Sequence, residues 1–182
     1  GAGAAAVFVV VYISFMGYAG DRVTAWLHPE LDPGDTGYQI LQSLYAIGSG
    51  GLFGLGYGKS RQKYLYLPFQ YNDYIFAVIC EELGLVGAMA IVALFAVTIL
   101  RGYWIALNAR DRFSTVLAAG LVTLIAVQTI LNLCVVTNLL PSTGIALPFF
   151  SYGGTALAVN LGEMGIVLGI SRGRNRRKIQ EA

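Results

Sequence analysis

Acid–base chemistry is available in one polar stretch of the chain, residues 20–73, where carboxylates and cations lie close together in sequence. The side chains concerned are Asp32, Asp35, Asp73, Lys59, Arg61 and Lys63. A carboxylate can remove a proton from a hydroxyl group, and cations or a bound divalent metal ion can stabilise a phosphate-containing leaving group. The alternative is that these charges only solvate a loop.

A second set of polar side chains interrupts otherwise apolar stretches. They are Glu81, Glu82, Gln128 and Asn132. Such groups are unfavourable in hydrocarbon, so they normally face a bundle interior or a wet cavity, and we interpret all four as cavity support. Glu81 and Glu82 point about 100° apart on a helix, so both cannot share one cavity wall with Asp73. The four-residue spacing of Gln128 and Asn132 fits either interhelical contacts or a substrate track.

Two motifs are rejected as sites because their surroundings do not fit. The GYGKS sequence at residues 56–60 resembles the end of a nucleotide-binding loop, but Phe53 occupies the position of its first glycine. Cys80 and Cys134 lie within apolar stretches, where small packing residues are the ordinary interpretation. We therefore predict no ATP site, no disulfide and no metal-binding cysteine cluster.

The elements that must position these side chains are membrane helices. The chain has 182 residues, of which 56% are hydrophobic and 12% charged, with a mean hydropathy of +0.64. Four stretches are apolar and long enough to cross about 30 Å of hydrocarbon as helices: 1–19, 74–100, 113–140 and 148–170. We predict an all-α, polytopic membrane helix bundle of four transmembrane helices with one large structured loop.

Basic residues predict the orientation of these spans. Eight of the twelve lysines and arginines lie in the connection 101–112 and the tail 171–182, so the positive-inside rule places both segments in the cytoplasm. Residues 20–73 then form a large extracellular loop, and residues 141–147 a short one. A formal net charge of +2 gives no indication of nucleic-acid binding.

The large loop has local structure of its own. Pro29, Pro33 and Gly34 break the chain around Asp32, and residues 38–47 then have helical spacing over a length that suits an interfacial or re-entrant helix. Six glycines follow between residues 48 and 58. An acid near bases at a membrane surface suits a substrate that carries phosphate on a lipid and hydroxyls on a sugar.

Several motifs in this order resemble the SEDS family of peptidoglycan glycosyltransferases, which includes FtsW, SpoVE and RodA. They are WLHPELDPGDTGYQILQSLYAIGSGGLFGLGYG from Trp26, SRQKYLYLP from Ser60, DYIFAVICEELGLVG from Asp73 and LLPSTGIALPFFSYGG from Leu139. The resemblance covers nearly the whole chain, and Gln62 with Lys63 is more similar to FtsW and SpoVE than to RodA. It implies the carboxy-terminal part of an enzyme of about ten helices.

The resemblance implies a multi-pass protein of the bacterial plasma membrane, with its active site on the extracellular face and its carboxy terminus in the cytoplasm. Its expected activity is inverting polymerisation of glycan strands from lipid II, in cell division, cell-shape or sporulation wall synthesis. The expected partners are lipid II, undecaprenyl-linked glycan, membrane lipids and a class B penicillin-binding protein. No cofactor is implied beyond the divalent cation left open above.

The resemblance also assigns roles to residues of the loop. Asp32 matches the loop aspartate proposed to activate the acceptor hydroxyl, so it is the predicted catalytic base. Lys59, Arg61 and Lys63 are candidate phosphate contacts. Further predicted substrate-binding residues are Asp73 and, within the GYQ and QS motifs, Gln39 and Ser43. The family commonly has LPE followed by an HTD-like motif, whereas here residues 69–72 read FQYN and leave Asp73 alone.

Two other functions remain open from the sequence. A flippase or transporter of lipid-linked oligosaccharide could use the same polar residues within its spans. A non-catalytic scaffold for a penicillin-binding protein could use Gly165 and Gly169, which are four residues apart and allow close helix contact. The first alternative predicts that Asp32 matters little, and the second that it is dispensable.

Overall fold

The computed structural model describes residues 20, 22–31, 36–60 and 73–180, with side chains described up to Gly173. Every regular element in these ranges is helical, which confirms the predicted all-α class. The predicted span 1–19 lies outside the described residues, as do Asp32, Arg61 and Lys63.

Four complete α-helices lie within the described residues, preceded by a helical stretch at 22–27 and a 3-10 turn at Pro29–Leu31. They are α1 (Thr36–Gly50), α2 (Ile75–Leu107), α3 (Arg112–Val136) and α4 (Gly154–Gln180). Among the described residues, three helical stretches are long and apolar enough to cross a membrane: Ile75–Leu107, Arg112–Val136 and Gly154–Gly173. They overlap the last three predicted spans, although α3 ends at Val136 and α4 begins at Gly154, inside the predicted bounds. The predicted helix 38–47 lies within α1.

Local chemistry sets the ends of α3. Asp111 caps its start, because one carboxylate oxygen accepts from the Ser114 amide at 3.0 Å and the other from the Ser114 hydroxyl at 2.8 Å. These bonds hold the pKa of Asp111 below its usual value. At the other end Asn138 adopts a left-handed conformation with φ 58°, and the Leu139 amide closes the helix on the Cys134 carbonyl at 2.8 Å.

The helices pack around two small cores, one near each end of the bundle. The first joins α1, α2 and α3 through residues such as Ala46, Ala77 and Val136. The second joins α2, α3 and α4 around Ala106, Val122 and Val167. Many large apolar side chains of α2, α3 and α4 remain exposed, as expected where hydrocarbon rather than water surrounds a helix.

The second helix is broken at Gly84, which has φ 68° and ψ −171°. In a continuous helix the Leu85 and Val86 amides would donate to the Glu81 and Glu82 carbonyls. Here they donate instead to the Gly51 carbonyl at 2.9 Å and the Leu52 carbonyl at 3.2 Å.

The two released carbonyls of α2 are taken up by the same glycine-rich segment. Glu81 O accepts from the Leu55 amide at 2.9 Å, and Glu82 O accepts from the Gly56 amide at 3.0 Å. The segment is thus inserted into the hydrogen-bond ladder of α2. We call residues 51–56 the inserted loop.

Candidate functional site

The candidate site lies at the end of the bundle where α2 begins. Asn132 of α3 links the segments of this site by hydrogen bonds. Its side-chain amide donates to the Asp73 carbonyl at 2.8 Å and to the Ile145 carbonyl at 2.7 Å. Asn132 is buried, so both hydrogen bonds form away from solvent. One residue therefore joins the start of α2, the end of α3 and the connection to α4.

The connection between α3 and α4 also receives the first described segment of the chain. Arg22 donates through Nη1 to the Ser142 carbonyl at 2.6 Å, and the Trp26 indole donates to the Asn138 carbonyl at 3.0 Å. The Tyr74 hydroxyl donates to Ser142 Oγ at 3.4 Å. Side chains separated by more than 100 residues in sequence thus meet at one end of the bundle.

Asp73 is the half-buried carboxylate of this cluster. Burial raises the pKa of Asp73 above its ordinary 3.8, and the positive charge of Arg22 partly offsets that rise. A β-carbon placed on Gly144, where φ is 69°, would lie 3.6 Å from Asp73 Oδ2. The missing side chain of Gly144 leaves space beside that oxygen. A carboxylate with a raised pKa and space beside it has the properties of a general base.

The two glutamates of α2 lie in different contacts. Glu81 is buried and accepts a hydrogen bond from the Ser60 hydroxyl through Oε2. Glu82 is also buried, and its Oε1 has no hydrogen-bond partner within the described ranges. Both glutamates precede the break at Gly84, on the same side of it as Asp73. Lys59, next to Ser60, is exposed beside this break.

The two predicted substrate-binding residues of α1 differ in exposure. Ser43 is fully buried, and its hydroxyl reaches the Ile40 carbonyl at 2.8 Å and the Val136 carbonyl at 3.3 Å. Gln39 is half-buried. The described contacts of Ser43 join α1 to α3, which is a packing role.

A separate cavity of about 390 Å³ lies between α3, α4 and the connection that joins them. Its polar lining residues include Gln128, Asn160 and Glu163. Asn160 and Glu163 are buried, and Glu163 Oε2 has no hydrogen-bond partner among the residues that the structure describes. Gln128 and Asn132 lie on one helix face but belong to different sites. Gln128 lines the cavity, whereas Asn132 belongs to the Asp73 cluster.

Sequence reasoning missed Arg22, Ser60 and Ser142 as members of these contacts. Their partners lie far away in sequence, and no local pattern marks them. Within residues 22–31, 36–60 and 73–173, no group of three or more His, Cys, Asp and Glu side chains could hold a metal ion. Asp32, Arg61 and Lys63, predicted as base and phosphate contacts, lie outside the described residues.

Comparison with known proteins identifies relatives that agree on one family. A family described as "Cell cycle protein", comprising FtsW, RodA and SpoVE, matches residues 2–176. Stage V sporulation protein E of Bacillus subtilis (strain 168) is 50% identical over 83% of this chain and 41% of its own length. The probable peptidoglycan glycosyltransferase FtsW of Trichlorobacter lovleyi is 45% identical over 91% of this chain and 44% of its own.

Two solved structures share the fold. A chain from a peptidoglycan synthase complex, studied for its coordination of polymerization and crosslinking, matches with a TM-score of 0.71 and 29% identity over 92% of this chain and 46% of its own. An aspartate-to-alanine mutant of the rod shape determining protein RodA from Thermus thermophilus matches with a TM-score of 0.57 and 32% identity over 72% and 40%. The chain thus spans less than half the length of these relatives.

Proposed function

Since this chain belongs to the FtsW, RodA and SpoVE family of cell cycle proteins, we propose that it forms part of a peptidoglycan glycosyltransferase. Several relatives bear that name, at identities between 42% and 49%. The observation in this structure that carries the proposal is the half-buried Asp73 carboxylate beside Arg22 at the end of a helix bundle. It provides an acid and a cation where a lipid-linked sugar can approach.

The protein is a multi-pass membrane protein, as its apolar helices and its family require. We propose that the Asp73 end of the bundle faces outward and that the carboxy terminus is cytoplasmic. The basic residues support this orientation, because Arg101, Arg110 and Arg112 lie near the opposite end, with the basic tail.

In the proposed reaction, a carboxylate accepts the proton of the acceptor sugar's hydroxyl. The hydroxyl oxygen attacks the anomeric carbon of the donor, and the bond from that carbon to the pyrophosphate oxygen breaks. Undecaprenyl pyrophosphate leaves with the bonding electrons, and attack from the opposite side converts the α linkage into a β linkage. The donor class proposed is lipid II.

Two carboxylates are candidates for the base. The resemblance of the loop to the family favours Asp32, whereas the described surroundings favour Asp73. Desolvation raises the pKa of Asp73 toward the pH at which a base is effective, and Asn132 fixes the main chain at this residue. The proposed reaction is the same for both assignments. Substituting each aspartate in turn distinguishes between them.

The leaving pyrophosphate needs positive charge. We propose that Lys59, Arg61 and Lys63 supply it, with a divalent cation as the alternative source. Lys59 is exposed and follows directly on the glycine-rich segment that α2 holds. A fixed main chain at this point limits the entropy lost when the side chain binds an anion.

We propose lipid II and the growing undecaprenyl-linked glycan as substrates, and a class B penicillin-binding protein as the partner. The solved relative from a complex that coordinates polymerization with crosslinking supports a crosslinking partner. The substrates and the partner are proposed for the whole protein. The curated relatives are more than twice as long as this chain.

The test is polymerisation of lipid II by the full-length protein, reconstituted with its partner while the partner's own active site is inactivated. Asp32→Asn and Asp73→Asn are compared with the unchanged protein at equal amounts of folded, partner-bound enzyme. The variant that loses polymer while its substrate binding persists identifies the base. Undiminished polymer from both would overturn a loop carboxylate as the base.

A lipid-linked oligosaccharide flippase is the second candidate, because the cavity lined by Gln128, Asn160 and Glu163 lies within the spans. Transport of a fluorescent lipid-linked sugar across proteoliposomes distinguishes it. An unchanged protein that translocates the lipid but makes no polymer would replace the glycosyltransferase proposal. A protein that does neither and still binds its partner would support a scaffold.

A further inference from the structure

The inserted loop carries large apolar side chains that the described protein does not cover. Leu52 is 61% exposed, Phe53 81%, Leu55 40% and Tyr57, just after the loop, 89%. Side chains of this size add unfavourable contact with water when they are left in an aqueous loop. These side chains therefore favour a position of the loop in which something other than water surrounds them.

The main-chain bonds fix the position of the loop along α2. The Leu52 carbonyl accepts from the Val86 amide, so Leu52 lies at the level of Val86. Val86 precedes Arg101 by 15 residues, or about 22 Å along a helix. If Arg101 marks one boundary of a hydrocarbon layer about 30 Å thick, Val86 and Leu52 lie inside the layer.

A non-helical backbone can enter hydrocarbon only where its polar groups have partners. The inserted loop meets this condition at its contact with α2. Four main-chain hydrogen bonds of 2.9 to 3.2 Å join the two segments, and the Gly54 amide adds a fifth to the Gly50 carbonyl at 2.8 Å. The loop therefore uses the carbonyls and amides that the break at Gly84 releases.

The contact also requires glycine at three places. A β-carbon on Gly50 would collide with the Cys80 carbonyl, one on Gly54 with the Glu82 carbonyl, and one on Gly84 with the main chain of Leu52 and Gly54. Only glycine lets the two backbones approach this closely. Glycines at three positions, two of them about 30 residues from the third, therefore permit this close approach.

The apolar side chains of the loop continue an exposed apolar surface of α2. Leu85 is 55% exposed, Val86 58% and Met89 60% on this membrane-spanning helix. A charged side chain does not occur among residues 51–58, and the first is the exposed Lys59. The loop and α2 therefore form one continuous apolar face.

We propose that residues 51–57 form a re-entrant element that lies in the hydrocarbon of the outer leaflet, with bilayer acyl chains covering Leu52 and Phe53. The loop enters beside α2, uses the broken ladder at Gly84 to satisfy its backbone, and returns to the surface at Lys59. This inference concerns the place of the segment in the bilayer and does not depend on the glycosyltransferase activity.

The test places a spin label at residue 53 in the full-length protein, reconstituted in lipid vesicles. Phe53→Cys is made in a background with Cys80→Ala and Cys134→Ala, and Leu52→Cys provides a second position. Collision with oxygen, which concentrates in hydrocarbon, is compared with collision with a water-soluble nickel chelate. Met89→Cys is the lipid reference, and Glu30→Cys, whose native side chain is 70% exposed beside the 3-10 turn, is the water reference.

The expected result is an oxygen-to-nickel ratio at residues 52 and 53 several-fold above that at residue 30 and close to that at residue 89. A ratio close to that at residue 30 would overturn the proposal, because the loop would then lie in water. Protection of both positions from oxygen and nickel alike would also overturn it, because another protein segment would then cover the loop.

Discussion

Arg22 is the residue that tunes Asp73. Its positive charge lowers a pKa that burial raises, so Arg22→Gln raises the pKa of Asp73 further. If Asp73 is the base, it must be ionised to act, and the acidic limb of the kcat/KM profile for lipid II polymerisation moves to higher pH in this variant. The measurement is the pH profile of polymerisation.

Arg110→Gln provides the matched control, because it removes the same charge at the opposite end of the bundle. Its acidic limb should coincide with that of the unchanged protein. An Arg22→Gln profile without a shift would contradict Asp73 as the base and leave Asp32 as the remaining candidate.

Asn132 is the residue whose loss disturbs most of the candidate site. Asn132→Ala leaves the Asp73 and Ile145 carbonyls without their donor, and an unsatisfied buried polar group costs about 1–3 kcal/mol. We expect a loss of folding stability in this range, measured by denaturant unfolding in detergent micelles. Gln128→Ala on the same helix face, which removes no described hydrogen bond, should lower stability less. Equal losses would contradict the linking role of Asn132.

At the scale of elements, the contact between α1 and α2 depends on one glycine and not on its neighbour. Gly50→Ala brings a β-carbon against the Cys80 carbonyl, whereas Gly48→Ala meets nothing within 4 Å. Both residues belong to α1, where alanine is favoured over glycine by about 0.5–1 kcal/mol. We therefore expect Gly48→Ala to hold or raise the thermal unfolding temperature and Gly50→Ala to lower it.

The comparison is made by thermal unfolding of both purified variants in one detergent. A Gly50→Ala protein as stable as Gly48→Ala would show that α1 and α2 separate easily. In that case the hydrogen bonds of the inserted loop would not hold the two helices together.

Hydropathy predicts the helices of this fold but not the break in α2. The apolar stretch 74–100 indicates a span because length and composition are local properties, and α2 covers it. The break at Gly84 depends on residues 51–56, which lie about 30 positions earlier and carry no signal beyond their glycines. Glu81 and Glu82 were expected to face a bundle interior or a wet cavity, and both are buried among the described residues.

The candidate site was predictable to a smaller extent. Asp73 was found because an acid at the start of an apolar span is conspicuous. Arg22 and Ser142 were not, because their meeting requires the path of the chain between them. The expected base, Asp32, stays a prediction, since it lies outside the described residues.

For the whole molecule, the three described spans fix which connections share a side of the membrane. Residue 73 and the connection after α3 lie at one end, whereas the connection between α2 and α3 lies at the other. In the proposed orientation the basic residues Arg101, Arg110 and Arg112 place the second end in the cytoplasm. The proposed orientation of the candidate site therefore rests on basic residues that lie outside the site.

Thiol labelling in intact cells tests this orientation. Glu30→Cys and Arg110→Cys are compared in the full-length protein with Cys80 and Cys134 replaced by alanine, using a maleimide that does not cross the membrane. We expect labelling at residue 30 in intact cells and at residue 110 only after the membrane is permeabilised. The reverse pattern would place Asp73 in the cytoplasm, away from any extracellular glycan, and would contradict both the orientation and the proposed polymerisation at the outer face.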